Sequence, residues 1–262
     1  MLLERKVIDL ALRVEGLGKV YKSHKDSYPT EVLKDINMEL EEGEFVALMG
    51  PSGSGKTTCL NIFAGLDIPT KGLVEIDGCD ISKYSEDEIN AFRRQKLGFV
   101  FQDFNLLDSL TLQQNIMLPM ILENRSYKEM EDKSMDLLNQ LDISDIKGKY
   151  PYQVSGGEKQ RAAIGRALIN NPVLIFADEP TGNLDSKASR SIKEYLGKLN
   201  RELKCTILMV THSPECASYC SKVLFIKDGR IDLELIRTSN QKLFYNDLLS
   251  YLADNGGEID EL

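Results

Sequence analysis

The sequence predicts an α/β fold with a mostly parallel core sheet and a helical lobe inserted into it. Three observations carry that expectation. An apolar run at 45–49 leads into Gly50-Pro51-Ser52-Gly53-Ser54-Gly55-Lys56-Thr57-Thr58, and a helical pattern over 57–64 follows, with Gly65 placed to end it. Apolar runs at 173–177 and 206–210 alternate with helical stretches, which is how parallel strands buried on both faces read. From residue 110 to about 170 the period is helical and no strand interrupts it.

In chain order, residues 10–22 alternate loosely and read as a strand, and 23–30, polar with Pro29, as a loop. A second strand over 35–40 turns at Glu41-Glu42-Gly43 into the 45–49 run. After the 57–64 helix, Pro69-Thr70-Lys71-Gly72 turns into a strand at 73–76 that ends at Asp77-Gly78. Ser85 is placed to cap a helix running to about Arg94, and 96–101 is an apolar strand ended by Gln102-Asp103. Residues 112–122, 127–141 and 156–169 are three helices, with Gly148 and Pro151 breaking the run, and this block suggests a separate lobe. The strand at 173–177 is followed by a helix over 186–202, the strand at 206–210, a short helix after Pro214 and a strand at 223–226 turning at Asp228-Gly229. A last helix over 241–252 carries Leu243, Phe244, Leu248, Leu249 and Leu252 on one side, a stripe that suits packing on its own domain or docking a partner. The acidic end, 254–262, is expected to be loose.

Composition narrows the function. A hydrophobic fraction of 42% over 262 residues supports a sizeable core, and a formal net charge of −9 disfavours a protein that binds nucleic acid by neutralising phosphates. The five cysteines, Cys59, Cys79, Cys205, Cys216 and Cys220, are odd in number and mostly in apolar surroundings, as reduced buried thiols are. No continuous apolar stretch approaches the ~18 residues of a membrane span, so a partner would have to supply any spans.

The residues with chemistry fall at strand ends and helix starts. Residues 50–57 fit G-x-x-x-x-G-K-[ST], the P-loop pattern, in its strand–loop–helix context. Glycines let backbone N–H groups curl round a phosphate, and the helix start adds its positive dipole end. Lys56 is then placed for the β- and γ-phosphates and the Thr57 hydroxyl for Mg²⁺. Asp178 and Glu179 close an apolar strand before Pro180; Asp178 suits Mg²⁺ coordination, and Glu179 suits orienting and deprotonating a water. His212 follows another buried strand, at the edge where parallel-sheet sites form, and is placed to meet the γ-phosphate or hold Glu179 and the water in line. Ser155-Gly156-Gly157-Glu158 is a capping box, yet two glycines in its first turn each cost ~1 kcal/mol of helix stability relative to Ala. A cap alone does not need them, whereas bare backbone suits close approach of an anion. The chain thus has two phosphate-competent helix starts, and spacing leaves open whether they meet within one chain or between two.

These motifs, in this order, resemble the ATP-binding subunits of ABC transporters. The resemblance spans about residues 10 to 230 and rests on the P-loop, Phe101-Gln102-Asp103, Val154-Ser155-Gly156-Gly157-Glu158-Lys159-Gln160-Arg161, Phe176-Ala177-Asp178-Glu179-Pro180, Asn183-Leu184-Asp185 and His212. It implies a P-loop ATPase with an antiparallel β subdomain, a helical lobe over about 103–170, and a C-terminal helical extension and acidic tail over 231–262. It implies ATP and Mg²⁺, with Tyr21 stacking on adenine, residues 50–58 cradling the phosphates, and Thr57, Gln102 and Asp178 at the metal. It further implies a head-to-tail homodimer in which Ser155, Gly156 and Gly157 of one copy reach the γ-phosphate held by Lys56 of the other, with Asp185 at the contact. Gln102 would link the Mg²⁺ site to the lobe and to an integral-membrane permease of the FtsX-like kind, which places the subunit on the cytoplasmic face of the membrane. Val154 and Glu158 replace the Leu and Gln common in the signature. The stretches 98–107 and 179–185 are similar to the group of macrolide exporters and lipoprotein-release ATPases. Ala217-Ser218-Tyr219-Cys220, residues 225–229 and the last helix resemble the Bce-type ATPases that protect against bacitracin and other antimicrobial peptides.

Overall fold

The structure, a computed structural model, describes residues 9–22 and 28–255. Most of the polar loop read at 23–30, with His24, and residues 256–262 of the acidic end lie outside the described residues.

Two sheets organise the chain. Strands β1 (Leu10–Tyr21), β2 (Thr30–Glu41), β4 (Lys71–Ile76) and β5 (Cys79–Asp80) form an antiparallel sheet in the order β2-β1-β4-β5. The second sheet runs β10-β9-β3-β8-β7-β6, built from β3 (Phe45–Met49), β6 (Leu97–Val100), β7 (Leu174–Asp178), β8 (Ile207–Val210), β9 (Lys222–Lys227) and β10 (Arg230–Ile236). Every pairing in it is parallel except that of β9 with β10. Sequence reasoning passed over β10, whose residues alternate between exposed and half-buried along an outer edge. The boundary read at residue 230 falls on its first residue.

Alternation along the parallel strands divides the interior in two. Phe45, Ala47, Met49, Ile175, Ala177, Ile207 and Met209 face one core, while Val46, Leu48, Leu174, Phe176, Leu208 and Val210 face the other. The second core packs helix α1 (Lys56–Phe63) and the antiparallel sheet against the strands. The first packs α3 (Leu112–Leu122), α4 (Tyr127–Gln140), α5 (Gly156–Leu168), α6 (Ser186–Leu203), α7 (Pro214–Ala217) and α8 (Gln241–Asp254). The helical block shares one core with that face of the sheet. Phe244 and Leu248 of α8 are buried in that core, and the ring of Tyr251 lies 4.1 Å from that of Phe225, so this helix packs on its own chain.

Local signals account for the helix boundaries. Ser85, Thr111 and Ser155 each close a capping box onto Glu88, Gln114 and Glu158, starting α2 (Glu86–Lys96), α3 and α5. The buried Asn115 accepts from the N–H of Leu107 and donates to the carbonyls of Leu107, Leu110 and Thr111, so the loop entering α3 is held from inside. Among the described residues no helix is long and apolar enough to cross a membrane.

Candidate active site

Four loops leave the carboxyl edge of the parallel sheet side by side, because β3, β8, β7 and β6 are consecutive neighbours in it. They carry, in that order, the P-loop, His212, Glu179 and Gln102. Register brings Leu48, Val210 and Asp178 level across the middle three strands.

The P-loop is tightly wound. A Cβ at Gly50 would lie 2.1 Å from the carbonyl oxygen of Ile226, and Gly55, with φ 107°, takes a backbone conformation that favours glycine. Lys56 Nζ donates to the carbonyls of Gly50 (2.7 Å) and Pro51 (2.9 Å), so the ammonium rests against its own loop. Among the described residues the buried Ser54 hydroxyl finds no hydrogen-bond partner. Burial lowers the pKa of Lys56, while the charges of Glu179 and Asp178 act the other way. Burial, and then the Glu179 charge, raise that of Asp178, with Lys56 opposing. A polyphosphate suits this cradle, since it offers partners to both Lys56 and Ser54. Thr57 is exposed on α1 and Asp178 ends β7, a hydroxyl and a carboxylate of the kind a divalent cation takes. Among the described residues no cluster of three or more metal-ligating His, Cys, Asp or Glu forms.

Glu179 and His212 meet directly. His212 Nδ1 lies 2.7 Å from Glu179 Oε1, the same oxygen accepts from the His212 N–H at 3.0 Å, and Oε2 accepts from Thr211 Oγ1 at 3.1 Å. Glu179 has φ 43°, the left-handed region, and its N–H donates to Val210 O at 2.9 Å.

Gln102 turns toward the loop after β7. Its Nε2 donates to Asn183 Oδ1 at 3.3 Å, and Asn183 Nδ2 in turn reaches Asp103 Oδ1 at 2.6 Å. Tyr21 ends β1 and is 42% exposed, its hydroxyl donating to Asp67 at 2.7 Å.

Ser155 caps α5 as expected, but the two glycines behind it have a packing role that sequence reasoning did not foresee. A Cβ on Gly157 would come 3.0 Å from Ala188 Cβ, and one on Gly156 3.1 Å from Leu184 Cδ2. Ser155, Gly157, Glu158 and Asp185 line a groove of about 400 Å³ into which no P-loop residue reaches. Asp185 caps α6 through the Ala188 N–H. One residue outside the expected set ties these parts together. Gln160, fully buried on α5, donates to the carbonyls of Phe101 (3.3 Å) and Pro180 (2.7 Å), next to Gln102 and Glu179. Its signal was present: Gln160, Ala163, Ile164 and Ala167 form one i, i+3, i+4, i+7 stripe, so the amide sits at an apolar position.

The sequence model of the ABC transporter family matches residues 33–182, and the rest of the motif order continues beyond it. The chain belongs to the ABC transporters, as an ATP-binding and ATP-hydrolysing subunit. Among ABC relatives, the ABC transporter ATP-binding protein YxdL of Bacillus subtilis is 49% identical over 96% of each chain. The bacitracin export ATP-binding protein BceA of Halalkalibacterium halodurans is 46% identical over 87% of this chain and 90% of its own. A solved structure of the ATP-binding cassette MJ0796 of Methanocaldococcus jannaschii, a dimer in a post-hydrolysis state with ADP and Pi, superposes with a TM-score of 0.78 at 41% identity. That match covers 86% of this chain and 98% of the cassette's.

Proposed function

We propose that this ABC ATPase powers a membrane permease that protects a cell against bacitracin-like antimicrobial peptides, working as a head-to-tail homodimer on the cytoplasmic face of the membrane. In this reading residues 10–230 form the ATPase domain, with its lobe over about 103–170, and 231–262 form a C-terminal extension. Tyr21 receives the adenine and residues 50–58 the phosphates. Ser155, Gly156 and Gly157 of the second copy complete the site, with Asp185 at the contact. The groove that holds Ser155 and lacks the P-loop supports this, because a single copy does not gather both halves.

The Glu179–His212 pair carries the mechanism. Thr211 and His212 fix both carboxylate oxygens at the sheet edge beside Lys56 and Asp178. Glu179 accepts a proton from water as the water oxygen bonds to the γ-phosphorus, and the bond to the bridging oxygen breaks with its electron pair leaving on ADP. Thr57 and Asp178, with Gln102 alongside, would hold Mg²⁺, whose charge offsets that of the phosphates. Lys56 leaves its own loop for the phosphate oxygens, and His212 keeps Glu179 aimed.

A permease is expected at the apolar groove lined by Leu97, Phe99, Leu118, Leu122 and Arg166, where β6, which leads to Gln102, and the helical block adjoin. An FtsX-like permease fits the subgroup resemblance. Lipoprotein release, macrolide export, or regulation of cell-wall or division machinery is the second reading, favoured by the stretches 98–107 and 179–185. Glu179→Gln separates the parts. It should bind ATP, lose hydrolysis roughly 100- to 10,000-fold, and accumulate as a dimer by light scattering; a strictly monomeric protein would count against the shared site. Bacitracin sensitivity of a deletion strain, restored by wild type and not by Glu179→Gln, tests the substrate class. Unchanged sensitivity with mislocalised lipoproteins favours the second reading.

A further inference from the structure

We infer that Lys19 and Asp67 are positioning residues that set the Tyr21 ring for the nucleotide base, so that they govern recognition of adenine and not of phosphate. The inference rests on the reading of Tyr21 as the adenine platform. The three side chains form a closed set. Lys19 Nζ reaches Asp67 Oδ1 at 2.5 Å and Ile68 O at 2.7 Å, and lies 4.7 Å from the centre of the Tyr21 ring. The Tyr21 hydroxyl donates to the other oxygen, Asp67 Oδ2, at 2.7 Å. One carboxylate therefore holds the ammonium and the phenol together, while the ammonium covers one ring face by a cation–π contact. A base can stack only on what is left of an already exposed ring.

The set also fixes a distance. Asp67 belongs to the turn that closes α1, whose Leu66 and Asp67 N–H groups donate to Asn61 O. The same turn is stitched to the end of β1, where Val20 N donates to Thr70 Oγ1 and Thr70 N to Gly18 O. The helix that starts at the phosphate loop and the strand that ends at Tyr21 are thus joined through Asp67. Lys19 is buried, although a lysine normally keeps its charge in water, and this placement is accounted for by the Asp67 contact. Burial works against the Asp67 carboxylate, but the Lys19 and Tyr21 hydrogen bonds outweigh it and hold its pKa below the ordinary value. A surface ion pair holding nothing would contribute little; here Lys19 lies over the Tyr21 ring and Asp67 accepts from its hydroxyl.

The test measures equilibrium binding of ATP and of inorganic tripolyphosphate, both with Mg²⁺, to the full chain. Stacking of a base on an aromatic ring is strong enough that losing its geometry should weaken ATP binding roughly tenfold. Lys19→Met and Asp67→Asn should each do so while leaving tripolyphosphate affinity unchanged, and Lys19→Met should add no further loss in a Tyr21→Ala background. Equal loss for both ligands would mean that the pair merely supports the fold, and unchanged ATP binding would mean that it positions nothing; either overturns the inference. If Tyr21→Ala itself leaves ATP affinity intact, the platform reading fails and takes the inference with it. If Tyr21→Ala weakens ATP and Asp67→Asn does not, only the inference fails.

Discussion

Gln160 gives its amide N–H groups to two carbonyls, those of Phe101 and Pro180, and both belong to loops that carry reacting groups. Because carbonyls can only accept, its amide has one workable orientation, and among the described residues its buried oxygen finds no partner. Gln160→Met keeps the volume and removes the donor to both carbonyls; that of Phe101 still accepts from the Phe104 N–H, whereas that of Pro180 is left unsatisfied, at a cost of about 1–3 kcal/mol. The expected outcome is a roughly tenfold lower kcat with ATP affinity little changed, read from steady-state hydrolysis beside equilibrium nucleotide binding. Equal losses in both would mark Gln160 as structural only. Glu179 and Lys56 were readable as candidate reacting groups because their motifs place them at a strand end and a helix start. Lys19 and Asp67 were not, since they lie 48 residues apart and no local spacing relates them.

Helix α5 shows how far a local rule reaches. Its capping box was legible from Ser155 and Glu158, and the structure forms it. The crowding at Gly156 and Gly157 was not, because Leu184 and Ala188 come from a segment brought alongside by β7. One substitution separates packing from nucleotide contact. Gly157→Ala gains about 1 kcal/mol of helix propensity, which offsets the shift that Ala188 must make. The thermal midpoint should stay within a few degrees while hydrolysis falls on the order of 100-fold. A large drop in the midpoint with unchanged specific activity of the folded fraction would assign this glycine to packing alone. Strands with continuous apolar runs, β3, β7 and β8, were likewise legible. The amphipathic edge strand β10 was not, because Arg230, Asp232 and Glu234 break its apolar run and its partner is supplied by the sheet.

Among the described residues, the mostly parallel sheet contributes strands to both cores. Helices α3 to α8 lie on one face and the antiparallel sheet with α1 on the other, so displacement of the helical block reaches the P-loop through strands buried on both sides. The groove at the edge of that block is where a permease helix would push. Leu122 lines it and is 58% exposed, so Leu122→Asp should alter stability by no more than about 0.5 kcal/mol. Hydrolysis by the isolated subunit should be unchanged and co-purification with the permease lost; retained co-purification would place the contact elsewhere.

The folded-back Lys56 has a consequence for selectivity. An anion entering the loop must outcompete the carbonyls of Gly50 and Pro51 for the same ammonium. A lone chloride or a single phosphate gives little in exchange, whereas a chain of phosphates offers several oxygens at once. The loop therefore has its own latch, and only a multidentate guest gains enough to lift it.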